Sequence, residues 1–187
     1  MFIFFISRIY NEAVNEQGGL MSKDRIEKLL EQWKRERPDL DASPMGILGR
    51  LMILSRLADR GVEEVLRPHK LTIQEFDVLA VIRRCGPPFR QSVGVLCAYS
   101  LLSSGAMTNR VDRLEQKGLI QREPNPEDRR GVLVALTSKG RELIDKLVAE
   151  RLQEAHKRVS VLSAKERKQL ETLLTHFLTA LQDKEEI

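Results

Sequence analysis

Residues 101–137 read LLSSGAMTNRVDRLEQKGLIQREPNPEDRRGVLVALT, and this stretch determines the fold. Ser103 and Ser104 can each cap the start of a helix by accepting hydrogen bonds from free backbone amides. Gly118 can supply the left-handed conformation that ends the helix. Two short strand-like segments joined by a charged turn follow directly. A capped helix followed after one glycine by a β-hairpin predicts the recognition helix and wing of a winged helix-turn-helix domain.

The predicted recognition helix has two different faces. Met107, Val111 and Leu114 recur at helical spacing and predict its buried face. The opposite face consists of Gly105, Thr108, Asn109, Asp112 and Gln116, with Arg113 at its edge. Small and amide side chains suit base edges in a major groove, and an arginine suits a phosphate or a guanine. Taken alone, this face also fits an ordinary solvated helix.

The hairpin adds a second possible contact with DNA. Its strands are predicted at residues 119–123 and 132–136, and the turn between them contains Arg129 and Arg130. Arginines on a protruding hairpin can enter a minor groove, where the potential is most negative, and Asp128 can brace one of them. The candidate DNA-binding residues are Ser103, Ser104, Gly105, Thr108, Asn109, Arg113, Arg129 and Arg130.

The helix SSGAMTNRVDRLEQKGLI and the wing DRRGVLVALT resemble the MarR family of winged-helix repressors. Gly131 stands where that family usually has a serine after the wing arginines, and the resemblance extends from about Ser43 to Gln182. It implies a fold that is mainly α with a small β-wing, in which N- and C-terminal dimerisation helices flank a winged helix-turn-helix domain. It also implies double-stranded DNA as a partner, bound by a homodimer at a pseudo-palindromic operator.

The sequence divides into four predicted segments. Residues 1–21 are expected to be a disordered or mis-assigned extension, because a purine-rich ribosome-binding site can be encoded just before Met21. Residues 22–70 are expected to form N-terminal helices that serve ligand binding and dimerisation, and residues 71–137 the winged helix-turn-helix DNA-binding lobe. Residues 138–187 are expected to form C-terminal dimerisation helices.

Capping residues mark where the helices are expected to begin. These positions are Ser22, Ser43-Pro44, Thr72-x-x-Glu75, Ser92, Thr137 or Ser138, and Ser163-x-x-Glu166. The last two helices are too rich in leucine to stand free in water, so we expect a dimer interface there. Packing within a single chain is the alternative.

Three charged residues are expected to point inward near the base of the DNA-binding lobe. Asp77 lies in an apolar helix that is predicted to be buried, and Arg110 falls beside the buried face of the recognition helix. Arg122 follows Ile120 by two residues and so shares its side of the strand. Because a buried carboxylate needs a partner, these residues fit an internal salt-bridge network that stiffens the lobe.

Together with Trp33 in an additional N-terminal helix, these three residues resemble the urate-responsive branch of the MarR family. The resemblance implies that Trp33, Asp77, Arg110 and Arg122 bind a purine-like anion such as urate or xanthine. Both guanidinium groups can donate to the oxygens of an oxidised purine, and the indole offers a flat wall and an N–H. Because Arg110 is on the recognition helix, ligand and operator are expected to compete. The expected protein is a repressor that the ligand releases from DNA.

Other functional classes find little support in the sequence. The chain has 31 basic and 27 acidic residues, so its net charge of +4 is too small to argue for DNA binding by itself. No catalytic motif is found, and the three histidines are scattered, so we expect no enzyme, cofactor or metal. The five apolar residues 2–6 are too few to span a bilayer, so no membrane partner is expected. The two cysteines, Cys85 and Cys97, indicate a reducing compartment and a cytoplasmic protein.

Two alternatives remain open. The regulator could respond to another aromatic or carboxylate metabolite, or to oxidation of Cys85. The winged helix could instead serve as a protein-interaction module that does not contact DNA.

Overall fold

The computed structural model describes residues 24–100, 104–126 and 131–185. Its elements in chain order are α1 (Arg25–Glu36), α2 (Pro44–Leu66), a 3-10 turn (Arg67–His69), α3 (Ile73–Arg84), β1 (Arg90–Ser92), α4 (Val93–Ser100), α5 (Ser104–Gln116), β2 (Ile120–Pro124), β3 (Val132–Leu136), α6 (Ser138–Val159) and α7 (Ala164–Glu185). The predicted fold class, mainly α with a small β-wing, is confirmed. Within the described ranges, none of the helices is both long enough and apolar enough to cross a membrane.

The chain divides into two compact units, with the boundary between Arg60 and Gly61. In the first unit, α1 begins at Arg25 because the Asp24 carboxylate accepts a hydrogen bond of 2.9 Å from the backbone N–H of Glu27. The helix was predicted to open at Ser22, which lies outside the described residues. Asp24 also forms an ion pair of 2.6 Å with Arg50 of α2. One carboxylate therefore both caps α1 and ties it to α2.

The second unit contains a hydrophobic core built from every helix between α2 and α6 and from two strands. Its most buried members are Leu66, Val78, Leu79, Ile82, Leu96, Met107, Leu114, Ile120, Val134, Ile144 and Leu147. The predicted capping box at the start of α3 is present, with Thr72 and Glu75 bonded to each other's backbone amides at 3.2 and 2.9 Å. The predicted starts of α2 and α3 are confirmed.

The sheet has three antiparallel strands in the order β1-β3-β2. The two predicted strands form β2 and β3, with Arg122 opposite Val134. β1 was not predicted, and it pairs with β3 through Arg90 opposite Ala135. A hydrogen bond of 3.1 Å from the backbone N–H of Asn125 to the carbonyl of Gly131 closes the base of the wing. The sheet therefore holds the wing at the far end of β2 and β3.

The turn from the recognition helix to the wing is fixed by the first turn of α6. Gly118 has a φ of +68° and ends α5 as predicted. Its carbonyl accepts a hydrogen bond of 2.8 Å from the hydroxyl of Thr137, which also caps α6. Gly140 packs so closely on this turn that a Cβ atom would overlap the carbonyl oxygen of Leu119. The orientation of α5 is thus set by contacts at its end as well as by the core.

Candidate nucleic-acid interface and effector site

The recognition helix α5 has the two predicted faces. Met107, Val111 and Leu114 are at most 1% exposed, which confirms the predicted buried face. The exposed positions on the opposite side are Gly105, Thr108, Asn109, Arg113 and Gln116. Ser104 is the first residue of α5, and Ser103 lies outside the described residues. The structure therefore presents a polar helix face above a buried apolar core, an arrangement that suits a major groove.

The wing is described only at its base. Arg129, Arg130 and Asp128 lie outside the described residues, so their role stays a prediction. Across the sheet, Arg90 of β1 forms an ion pair of 3.2 Å with Glu123 of β2, which was not predicted from the sequence. This ion pair connects the two edge strands, β1 and β2, across the central strand β3, close to the base of the wing.

Arg122 does not point inward, so that expectation is wrong. Its guanidinium group bonds to the carboxylates of Asp112 and Glu115 on α5, and its side chain is 33% exposed. Its backbone N–H also donates to Glu115 at 3.1 Å. The hydrogen bond to Asp112 is the main cause that raises the pKa of Arg122. The physical reason is that β2 is an edge strand beside α5, so a long side chain reaches the carboxylates there instead of the core.

Arg110 is partly buried, in agreement with its predicted place beside the buried face. Its Nη1 donates a hydrogen bond of 3.3 Å to the carbonyl of Ala106, one turn earlier in α5. The guanidinium group is therefore held along its own helix.

Asp77 is exposed, so the prediction that it is buried is wrong. Together with Gln74 and Arg84 it forms a polar stripe on α3, and the apolar residues of that helix occupy the other sides. Nearby protein atoms still desolvate its carboxyl and raise the pKa of Asp77, against the charges of Arg151 and Arg84. The arginines whose charges act on Asp77 are thus not the predicted Arg110 and Arg122, and the predicted network is absent from the described part of the chain.

Trp33 lies on α1 in the first unit, whereas the other three candidate effector residues lie in the second. Its side chain is 40% exposed. It borders an open depression of about 430 Å³, which is lined by Leu29, Gln32, Trp33, Arg35 and Glu36. An aromatic wall beside a cationic side chain can receive a flat anion.

A buried ion pair that sequence reasoning missed joins α5 to α3. Glu75 is 2% exposed, and its carboxylate accepts a hydrogen bond of 2.8 Å from Lys117, which follows α5. Lys117 also donates to the carbonyl of Lys70 at 2.9 Å. Burial alone would raise the pKa of Glu75, but hydrogen bonds from Lys117 and the Thr72 amide outweigh burial and hold it below its usual value. The sequence identified Glu75 only as a capping residue.

The helix α7 carries an exposed row of leucines. Leu173 is 66% exposed and Leu178 59% exposed, although both are large and apolar. The same face includes Leu170, Leu174 and Leu181. A continuous apolar face of this kind is unusual on a protein that stays monomeric.

The remaining candidate groups lie apart from one another. Cys85 is exposed at the end of α3, and Cys97 is partly buried in α4. Among the described residues, no three His, Cys, Asp or Glu side chains are grouped so that they could hold a metal ion.

Comparisons with known proteins agree with this geometry. A family model described as MarR family matches residues 69–131. The HTH-type transcriptional regulator PecS of Dickeya dadantii is 38% identical over 149 residues, which cover 80% of this chain and 90% of PecS.

Two solved structures show what similar proteins bind. A mutant MarR from Escherichia coli in complex with operator DNA has a TM-score of 0.60 and 32% identity, over 78% of this chain and 97% of that one. Bordetella bronchiseptica BpsR, whose DNA binding is regulated by 6-hydroxynicotinic acid, has a TM-score of 0.58 and 25% identity, over 68% of this chain and 89% of BpsR.

Proposed function

The chain belongs to the MarR family of transcriptional regulators, and from that premise we propose that it is a homodimeric repressor that a small anionic aromatic ligand releases from DNA. The observation that carries the proposal is the polar, exposed face of α5, held on a fully buried row of apolar side chains beside the wing. Such a helix can enter a major groove without rearrangement of the core.

The proposed DNA contacts are made by α5 and the wing. The α5 side chains read base edges, and Arg129 and Arg130 reach into the adjacent minor groove. The experiment measures binding to a palindromic duplex that the wild-type protein selects from a random DNA library. The R129A/R130A variant should lose binding, whereas K146A/K157A, which removes two exposed cations of α6, should retain it. Undiminished binding by R129A/R130A would remove the wing from the interface. Failure of the wild-type protein to select any duplex would favour a protein-interaction module.

The proposed dimer buries the leucine face of α7. In a dimer this face becomes the seam between two copies, and a two-fold axis then presents two α5 helices to successive major grooves. Leu173→Glu should give a monomer in sedimentation velocity at micromolar concentration, because it places a charge in the apolar face. Thr172→Glu adds the same charge on the opposite side of the helix and should leave the dimer intact. A monomeric wild-type protein would contradict this arrangement.

The proposed effector is a purine-like anion such as urate or xanthine, bound by Trp33, Asp77, Arg110 and Arg122. Two features of the described residues support it. Trp33 borders an open depression. Arg110 is part of α5 and Arg122 bonds to Asp112 of α5, so a ligand that binds these arginines would act directly on the recognition helix. Asp77 would repel the incoming anion and shift as it binds.

Fluorescence tests this site, because Trp33 is the only tryptophan in the chain. Titration with urate or xanthine should change the emission and release the duplex in the same concentration range. Trp33→Phe should weaken the release while leaving binding to DNA unchanged. If the release is unchanged in that variant, Trp33 is not part of the site.

A second candidate effector is an aromatic carboxylate, which the similarity to BpsR favours. Release by 6-hydroxynicotinate, without release by either purine, would select it. Oxidation of Cys85 is the remaining alternative, because this thiol is exposed at the end of α3. Peroxide-dependent release that Cys85→Ser abolishes would identify it.

A further inference from the structure

Two carboxylates lie where the recognition helix would face the phosphates of DNA. Asp112 follows Asn109 by three residues and precedes Gln116 by four, so it lies on the polar face of α5, where it is partly exposed. Glu115 flanks it one turn later, and the two side chains are 45% and 38% exposed. Carboxylates in this position repel a DNA backbone.

The charged side chains of α5 have a net charge of zero when the helix is taken alone. Arg110 and Arg113 supply two positive charges, and Asp112 and Glu115 supply two negative ones. Net attraction to DNA at this helix therefore depends on what covers the two carboxylates.

Arg122 covers both. Its guanidinium group bonds to Asp112 with one nitrogen and to Glu115 with the other, and Glu115 also accepts the backbone N–H of Arg122. The backbone of Arg122 pairs with Val134 of β3, so the strand holds the guanidinium group close to both carboxylates. A planar guanidinium can serve two carboxylates at once, and a single ammonium group does so less well.

We propose that Arg122 is a positioning residue for operator binding, which neutralises Asp112 and Glu115 and so lets α5 approach the phosphates without itself contacting DNA. The inference concerns the protein without effector, so it holds whichever ligand the protein recognises. It differs from a purely mechanical tie between α5 and β2 in the sign of one effect. If the contact is only a mechanical tie, removal of both carboxylates breaks it and weakens DNA binding. If Arg122 acts by neutralising the carboxylates, their removal abolishes the repulsion itself, and DNA binding does not weaken.

The test compares three variants on the selected duplex by fluorescence anisotropy. R122Q should weaken binding on the order of tenfold, because two partly exposed negative charges are left uncovered near the phosphates. D112N/E115Q should bind at least as tightly as the wild type. R122Q combined with D112N/E115Q should restore affinity to within a few-fold of the wild type.

Two outcomes overturn the proposal. If D112N/E115Q binds as weakly as R122Q, the three residues act as a mechanical tie. If the triple variant stays weak and its salt dependence has fallen by about one released counterion, Arg122 contacts a phosphate itself.

Folding is controlled separately. Thermal unfolding is measured for each variant, and R122K, which keeps the positive charge, should bind more tightly than R122Q. The matched control is R83Q/D145N, which removes an ion pair of 2.6 Å between α3 and α6. Its affinity for DNA should equal that of the wild type, because neither residue is on α5 or the wing.

Discussion

Lys117→Met should lower the free energy of unfolding by about 2 kcal/mol at pH 7, because it removes the positive partner of the buried Glu75 carboxylate. The lost interaction is a charge-assisted hydrogen bond of 2.8 Å to a residue that is 2% exposed. Such bonds contribute about 1.5–3 kcal/mol, and we take the lower half of that range because the Lys117 side chain is 33% exposed. Methionine keeps most of the apolar stem, so the loss reports the charge and not the packing.

The assay is thermal unfolding at one fixed protein concentration, since association also affects the transition. A loss of this size should lower the midpoint by about 4–8 °C in a chain of this length. The hydrogen bonds to Glu75 hold its pKa below the ordinary value of 4.5. The pair therefore stabilises the folded state fully above about pH 4.5, and this contribution disappears as the pH falls through the pKa of the folded state. The difference between variant and wild type should shrink accordingly in acid.

The matched control is Lys168→Met, which breaks an exposed pair of 3.0 Å with Glu171. It should change stability by less than about 0.5 kcal/mol, because exposed pairs contribute little. Equal effects of the two substitutions at pH 7 would refute the reasoning. So would a difference for Lys117→Met that does not shrink as the pH is lowered through the pKa of Glu75 in the folded state.

Three further predictions concern other contacts. Gly140→Ala should destabilise the protein by about 3 kcal/mol, because the new Cβ would overlap the Leu119 carbonyl. Gly105→Ala is the control and should not destabilise it, because no atom lies within 4 Å of a Cβ at that position. Urea unfolding of both variants measures the difference. Thr137→Ala should cost about 1 kcal/mol through loss of the α6 cap, and Thr137→Ser, which keeps the hydroxyl, should restore it in the same assay. Asp77→Asn should leave the melting temperature at pH 7 unchanged or slightly raised, because desolvation disfavours the Asp77 carboxylate, and a clear drop would contradict this.

Most helices could be predicted from the sequence because their ends carry local chemical signals. The capping box at Thr72 and the positive-φ Gly118 each mark a boundary within a few residues. β1 has only three residues and is stabilised by pairing with β3, more than forty residues later, so no local pattern announces it. The Asp24 carboxylate that caps α1 also pairs with Arg50 of another helix, and no local pattern marks that second contact.

The candidate site was harder to predict than the fold. Helical spacing identified the buried and exposed faces of α5, because that spacing is fixed by the backbone. Strand alternation with Ile120 predicted that Arg122 points inward, but its long side chain bonds instead to the nearby carboxylates of α5. The pairing of Glu75 with Lys117 joins residues that are 42 positions apart, and such a contact leaves no mark in either local sequence.

Gly140 of α6 packs directly against the backbone carbonyl of Leu119, which lies in the turn after the recognition helix α5. Because this contact lies at the turn that follows α5, we expect a tilt of α6 to displace that turn, and the 22 residues of α6 span about 33 Å. A rotation of about 5° over that length moves one end by about 3 Å, close to the rise of one base pair. In the proposed dimer, a small rotation at the leucine interface of α7 would therefore be enough to move the two α5 helices out of register with successive major grooves.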